Sequence, residues 1–207
     1  MKTQMLFIMI KVLITGGSGD WSTSFKTAFN EKFIIKTTSK KELDVTSPSN
    51  VALFFENNEF DVVINNAGSI HPKTILDSDD ALWINDINVN LIGTFLVSKY
   101  ALLANIHTVI INISSTAGFN SYSDWSSYCS SKAGVVTFSK CLAKDGFEVY
   151  CLCPGAIDTK FRDNLNLSND MAMSCQNLSK YVLDIIDRKY KSGDVLFIRK
   201  NEFILNP

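Results

Sequence analysis

The 207-residue chain is poor in the residues from which metal sites and disulfide frameworks are made. It has two histidines and five cysteines, at 129, 141, 151, 153 and 175, with no CxxC pair among them. No metal site and no disulfide scaffold are expected, and a reducing, cytoplasmic setting fits best. Charge of one sign is missing as well. The formal net charge is −1 and no long acidic or basic run marks a tail, so no nucleic-acid partner and no anionic membrane surface are expected. The early apolar run Met5 to Ile10 is short for a signal peptide, lacks a small-residue cleavage site and leads straight into Lys11-Val12-Leu13-Ile14. Met9 opens a complete first strand, which leaves residues 1–8 as a dispensable extension in this reading. No internal repeat or low-complexity segment divides the chain, so residues 1–207 read as one domain.

What the chain does have is an ordinary globular composition, 46% hydrophobic and 20% charged, laid out as short apolar runs between longer helix-like stretches. Strands are expected at Lys11 to Thr15, Phe33 to Thr37, Asp61 to Asn65, Thr108 to Ser114, Glu148 to Leu152 and Val195 to Ile198. Helices are expected near 22–31, 48–57, 78–104, 126–145 and 175–189. Phe25, Ala28 and Phe29 give the first helix one apolar face, and Val62-Val63-Ile64 is apolar without alternation, as in a strand buried on both sides. The predicted fold is a doubly wound, Rossmann-type α/β domain with about six or seven parallel strands and helices on both faces. Ligands of such sheets bind beyond the carboxyl ends of the strands. The polar run Asp163 to Asp170, after Pro154-Gly155, is placed to close over one.

Thr15-Gly16-Gly17-Ser18-Gly19 falls between the first strand and the first helix. Backbone N–H groups and the helix dipole there can receive a pyrophosphate, which makes Gly16, Ser18 and Gly19 candidate cofactor contacts; the plain alternative is a connecting turn. The second strand ends in Lys36-Thr37-Thr38-Ser39-Lys40-Lys41, with no acidic residue before Glu42. A carboxylate at that point selects NAD, whereas hydroxyls and lysines suit a 2′-phosphate, so Thr38, Ser39 and Lys40 favour NADP(H), with NAD(H) possible. A solvated turn with ordinary lysines is the alternative.

Tyr128 and Lys132 stand four apart on an expected helix and so share a face. An ammonium beside a phenol stabilises the phenolate and draws its proton exchange toward neutrality, which suits reduction of a carbonyl; by spacing alone the pair also reads as a surface contact.

Together these motifs resemble the short-chain dehydrogenase/reductase family, in the family's order from Lys11 to about Ile198. They are the glycine turn, Asn65-Asn66-Ala67-Gly68, Asn88-Val89-Asn90-Leu91, Ser114-Ser115 with Tyr128 and Lys132, and Pro154-Gly155. The resemblance implies Tyr128 as general acid, Lys132 as the residue that lowers its pKa and binds the nicotinamide ribose, Ser115 as donor to the substrate oxygen, with Ser114 as alternative, and Asn90 as the fourth member, positioning a water. It also implies Asp44 at the adenine, Asn66, Ala67 and Gly68 at the adenosine ribose, and Pro154, Gly155 and Thr159 at the nicotinamide end. The chain departs from the family's TGxxxGxG pattern, because Asp20 follows Gly19 and Ser22 takes the last glycine position. It is also short between Thr159 and Asp194 and lacks Asp-Gly-Gly near its last strand, which leaves a homodimer as plausible as a homotetramer.

The implied function is an NADP(H)-dependent oxidoreductase interconverting a carbonyl and a secondary alcohol on a small-molecule substrate. A noncatalytic NAD(P)-binding regulator or scaffold is the alternative suggested by the altered turn. A nucleotide-sugar epimerase or dehydratase is less compatible, since such relatives carry a larger C-terminal substrate domain.

Overall fold

Alternate residues of each strand point to opposite faces, and here the two faces carry different cores. Val12, Ile14, Ile64, Ile111 and Leu152 pack with Trp21, Phe25, Leu178 and Val182 on one side. Leu13, Val63, Ile110 and Val149 pack with Val51, Phe55, Leu96 and Val97 on the other. The computed structural model describes residues 9–165 and 170–207. Its strands are β1 (Lys11–Thr15), β2 (Ile34–Thr38), β3 (Val62–Asn65), β4 (Val109–Ile113), β5 (Val149–Pro154), β6 (Val195–Arg199) and β7 (Glu202–Leu205). Its helices are α1 (Asp20–Phe29), α2 (Pro48–Glu56), α3 (Asp80–Ile87), α4 (Gly93–Ala104), α5 (Ser126–Lys144) and α6 (Cys175–Ile186).

The strand order is β2-β1-β3-β4-β5-β6-β7, parallel through β6. The chain leaves β1 toward β2 and then crosses back to β3, so the order reverses at β1 and opens a crevice between the loops after β1 and β3. That crevice positions the site.

Two expectations are corrected. The sheet is not wholly parallel: β7 folds back antiparallel on β6, pairing Arg199 with Glu202 across the turn Lys200-Asn201, because too few residues separate the runs for a crossover. The stretch expected as one helix at 78–104 is interrupted by a π-helical turn, Asn88–Ile92, between α3 and α4. Asp80–Ala104 is long and apolar enough to cross a membrane by composition. Its Leu96, Val97, Ala101 and Leu102 nevertheless pack in the core on the sheet. The expected closing run 163–170 lies partly, and residues 1–8 wholly, outside the described residues; Lys160–Leu165 forms a 3-10 turn.

Candidate active site

Each loop leaving the carboxyl end of β1, β3, β4 and β5 contributes to one cavity of about 790 Å3, within the roughly 300–1,000 Å3 typical of small-molecule sites. Gly16, Ser18 and Gly19 enter after β1, Asn66, Ala67 and Gly68 after β3, Ser115 after β4, and Pro154, Gly155 and Thr159 around the end of β5. Tyr128 and Lys132 reach it from α5. Thr38, Ser39, Lys40 and Asp44 do not line it, and Asn90 is fully buried outside its wall.

The glycine turn is shaped by close approach. Gly16 adopts φ +69°, and a Cβ there would stand 3.0 Å from Ala67 Cα; one on Gly17 would come within 2.7 Å of Thr37 Cβ. Ser22 does not disturb the turn. Its hydroxyl donates to Gly16 O (3.0 Å) and accepts from Asn66 Nδ2 (3.0 Å), so the side chain that replaces a glycine fastens the turn to the loop after β3. Thr15 Oγ1 accepts from the N–H groups of Asn66 and Ala67 and completes the tie. Asp20 does not cap α1, whose N-cap is Gly19 without a side-chain bond. Its Oδ2 accepts instead from Lys160 N at 2.6 Å, joining the glycine turn to the 3-10 turn that follows Thr159.

At the end of β2 a carboxylate already engages one of the expected phosphate contacts. Ser39 donates both its N–H (2.9 Å) and its hydroxyl (3.0 Å) to Glu42 Oε2, and these bonds hold the Glu42 carboxyl below its usual range. Thr38 is buried, its carbonyl accepting from Gly17 N, and its hydroxyl has no partner. Lys40 is exposed and 4.0 Å from Asp44. Asp44 accepts from Thr46 N and Oγ1; burial opposes this, yet the bonds hold its carboxyl below the usual range, and they serve as a turn cap.

At the other end, desolvation pushes the Tyr128 phenol up to about 12, against a hydrogen bond with Ser115 that lowers it; Cys129 and Asp86 add upward contributions. The lowered phenol expected from a neighbouring ammonium is absent here. Lys132, 4% exposed, directs Nζ to Ile113 O (2.9 Å) and lies 5.5 Å from the Tyr128 ring centre, and burial pulls its own pKa down to about 8. Ser114 gives its hydroxyl to Lys132 O at 2.7 Å, which leaves Ser115 as the hydroxyl beside the phenol. Asn90, inside the π-turn, accepts from Ser69 N (2.8 Å) and donates to Ser69 O (2.9 Å) and Ser131 Oγ (3.0 Å). Such turns interrupt helices frequently at functional positions.

Asp86 escaped the sequence reading. It is fully buried one turn before Asn90, and the available signal was a carboxylate four residues from Asn90, flanked by Ile84 and Ile87.

A sequence model of the family described as short chain dehydrogenase matches residues 11–170. The chain belongs to that family. Among curated relatives, the 3-oxoacyl-acyl-carrier-protein reductase FabG of Aquifex aeolicus is 32% identical over 160 residues, 72% of this chain and 64% of that protein. Nodulation protein G of a Rhizobium species is 34% identical over 113 residues, 51% of this chain and 46% of that protein. The chain thus spans about half to two thirds of the length of these relatives. Solved structures of similar fold include ElxO with NADP bound, with a TM-score of 0.80 and 24% identity over 92% of this chain and 97% of that one. A small-chain dehydrogenase in complex with NADPH has a TM-score of 0.83 and 17% identity over 93% and 97%.

Proposed function

We propose that this short-chain dehydrogenase family member is an NADP(H)-dependent oxidoreductase that interconverts a carbonyl and a secondary alcohol. The observation that carries the reading is the convergence of Tyr128, Lys132 and Ser115 on the cavity that also receives the glycine turn. A dinucleotide suits that cavity by volume and by the close backbone approach of Gly16 to Ala67, and Gly16, Ser18, Gly19, Asn66, Ala67, Gly68, Pro154, Gly155 and Thr159 would hold it. A nicotinamide held there would supply the hydride in reduction, or take it up in oxidation. In the reducing direction the Ser115 hydroxyl is placed to donate a hydrogen bond to the substrate oxygen as it gains negative charge, and Tyr128 to give that oxygen its proton; in oxidation the phenolate takes the proton back. A phenol pushed up to about 12 is fully protonated at neutral pH and so starts as an acid, which suits reduction. Lys132, buried beside it, lowers the cost of the phenolate as it forms. Asn90 holds Ser69 and Ser131 behind the site.

The NADP(H) preference rests on Thr38, Ser39 and Lys40 and on the bound cofactors of similar structures. A single-domain protein, cytoplasmic and assembled as a homodimer or homotetramer, accompanies this reading. Asp20, a carboxylate beside the glycine turn, favours a second reading in which the fold binds cofactor weakly and does no chemistry. Fluorescence titration with NADPH and NADH separates the two. Saturable binding with NADPH tighter supports the first; no binding of either hands the case to the second.

A further inference from the structure

Asp86 is 0% exposed and belongs to none of the motifs described above. Both of its oxygens are fully engaged. Oδ1 accepts from Ser69 Oγ (2.8 Å) and lies 2.7 Å from His71 Nδ1; Oδ2 accepts from Ser127 Oγ (2.7 Å) and His71 N (3.0 Å). Three segments meet on this one carboxylate: α3, the loop that follows Gly68, and the first turn of α5. Two of the ties end next to residues of the site. Ser127 precedes Tyr128, and Ser69 follows Gly68 while exchanging two hydrogen bonds with Asn90. Burial of a carboxylate is costly, and hydrogen bonds of this number and kind are what offset it. A structure-only role would be met by an apolar residue of similar size, as buried ionic groups often are.

We propose that Asp86 is a positioning residue, which locks the Ser69–His71 loop and the start of α5 together and so sets where the Tyr128 hydroxyl and the Asn90 amide stand relative to Ser115 and Lys132. The proposal rests on the reading of Tyr128 as proton donor. It has an electrostatic side: the buried charge also raises the phenol's pKa, in opposition to any lowering by Lys132. The other groups facing the phenol are Lys132 and Cys129 from its own helix and Ser115 from the turn after β4, with Asp124, Lys160 and Arg162 on the same cavity wall. His71 is the titratable group facing Asp86 itself.

The test compares the parent with Asp86→Asn and Ser127→Ala, the second removing the tie to α5 while keeping the buried charge. Turnover of diacetyl is measured with NADPH, cofactor affinity by fluorescence, and the Tyr128 titration by phenolate absorbance, using Tyr128→Phe as the blank. The expected result is a loss in kcat of roughly tenfold for Asp86→Asn and a few-fold for Ser127→Ala, with NADPH affinity within about twofold of the parent. The phenol's titration moves to lower pH in Asp86→Asn and stays in place in Ser127→Ala. A lower melting temperature with kcat and titration unmoved in both variants overturns the proposal. If Asp86→Asn does not fold, parental kcat in Ser127→Ala overturns it. Undiminished turnover in Tyr128→Phe instead removes the reading of Tyr128 beneath it, and the phenolate titration, which needs no substrate, still shows whether Asp86 acts on the phenol.

Discussion

The two ends of the cavity are built by opposite rules. Around Tyr128, donors and acceptors on several elements interlock behind the reacting groups. Around the glycine turn and the end of β2, donors near the expected phosphates are already taken by carboxylates: Lys160 N by Asp20 and Ser39 N and Oγ by Glu42. The first end is preorganised for proton transfer. The second requires an anionic ligand to compete with the chain's own anions, so chemistry and affinity here are governed by different residues.

The strongest way to break this comparison is Tyr128→Phe. A kcat loss on the order of 100- to 10,000-fold is expected, with NADPH affinity nearly unchanged, because only the proton donor goes. Parallel losses of kcat and binding would mean that the two ends are not separable. Lys132→Met is next. In the fold Lys132 titrates near 8 rather than 10.5, so below pH 8 its buried charge costs stability, roughly 3 kcal/mol. Between 8 and 10.5 the unfolded chain holds a proton that the folded one has released, and stability therefore rises with pH across that window. Lys132→Met should stabilise the protein at pH 7 by roughly 1–3 kcal/mol, less what the orphaned Ile113 carbonyl loses, and flatten that rise while abolishing turnover. Denaturant melts at pH 7 and 9 check both signs. At the other end, Asp20→Gly should tighten NADPH and NADH alike by roughly tenfold, read by titration. Weaker binding would show that the bond to Lys160 N helps to shape the site. The smallest effect is expected from Glu42→Gln, a shift of about two- to fivefold toward NADPH over NADH, because the displaced charge is exposed.

Most of the scaffold was readable because apolar runs such as Val62-Val63-Ile64 admit few alternatives to a doubly buried strand. The hairpin of β7 was not, since Lys200-Asn201 carries no glycine and the pairing of Glu202–Leu205 with β6 depends on contacts beyond its own sequence. At the site, the motif residues around Tyr128 were legible as types and spacings. Their partners were not: nothing in Tyr128-Cys-Ser-Ser-Lys132 says that burial will raise the phenol, or that the ammonium will turn toward Ile113 O. Ser22 reads in the sequence only as a lost glycine, whereas in the fold its hydroxyl meets an amide that arrives from 44 residues away. No acidic residue precedes Glu42 in this segment, yet a tight turn returns the Glu42 carboxylate to Ser39.

The π-turn at Asn88–Ile92 means that part of this site is written in chain length. The extra residue is absorbed within the turn itself, so deleting one residue there would restore an even helical pitch with α3 and α4 still in phase, and would reposition Asn90, which the turn carries. A library of point mutants would sample the side chains of the site while leaving this determinant untouched, and only variants that change the count of residues would expose it.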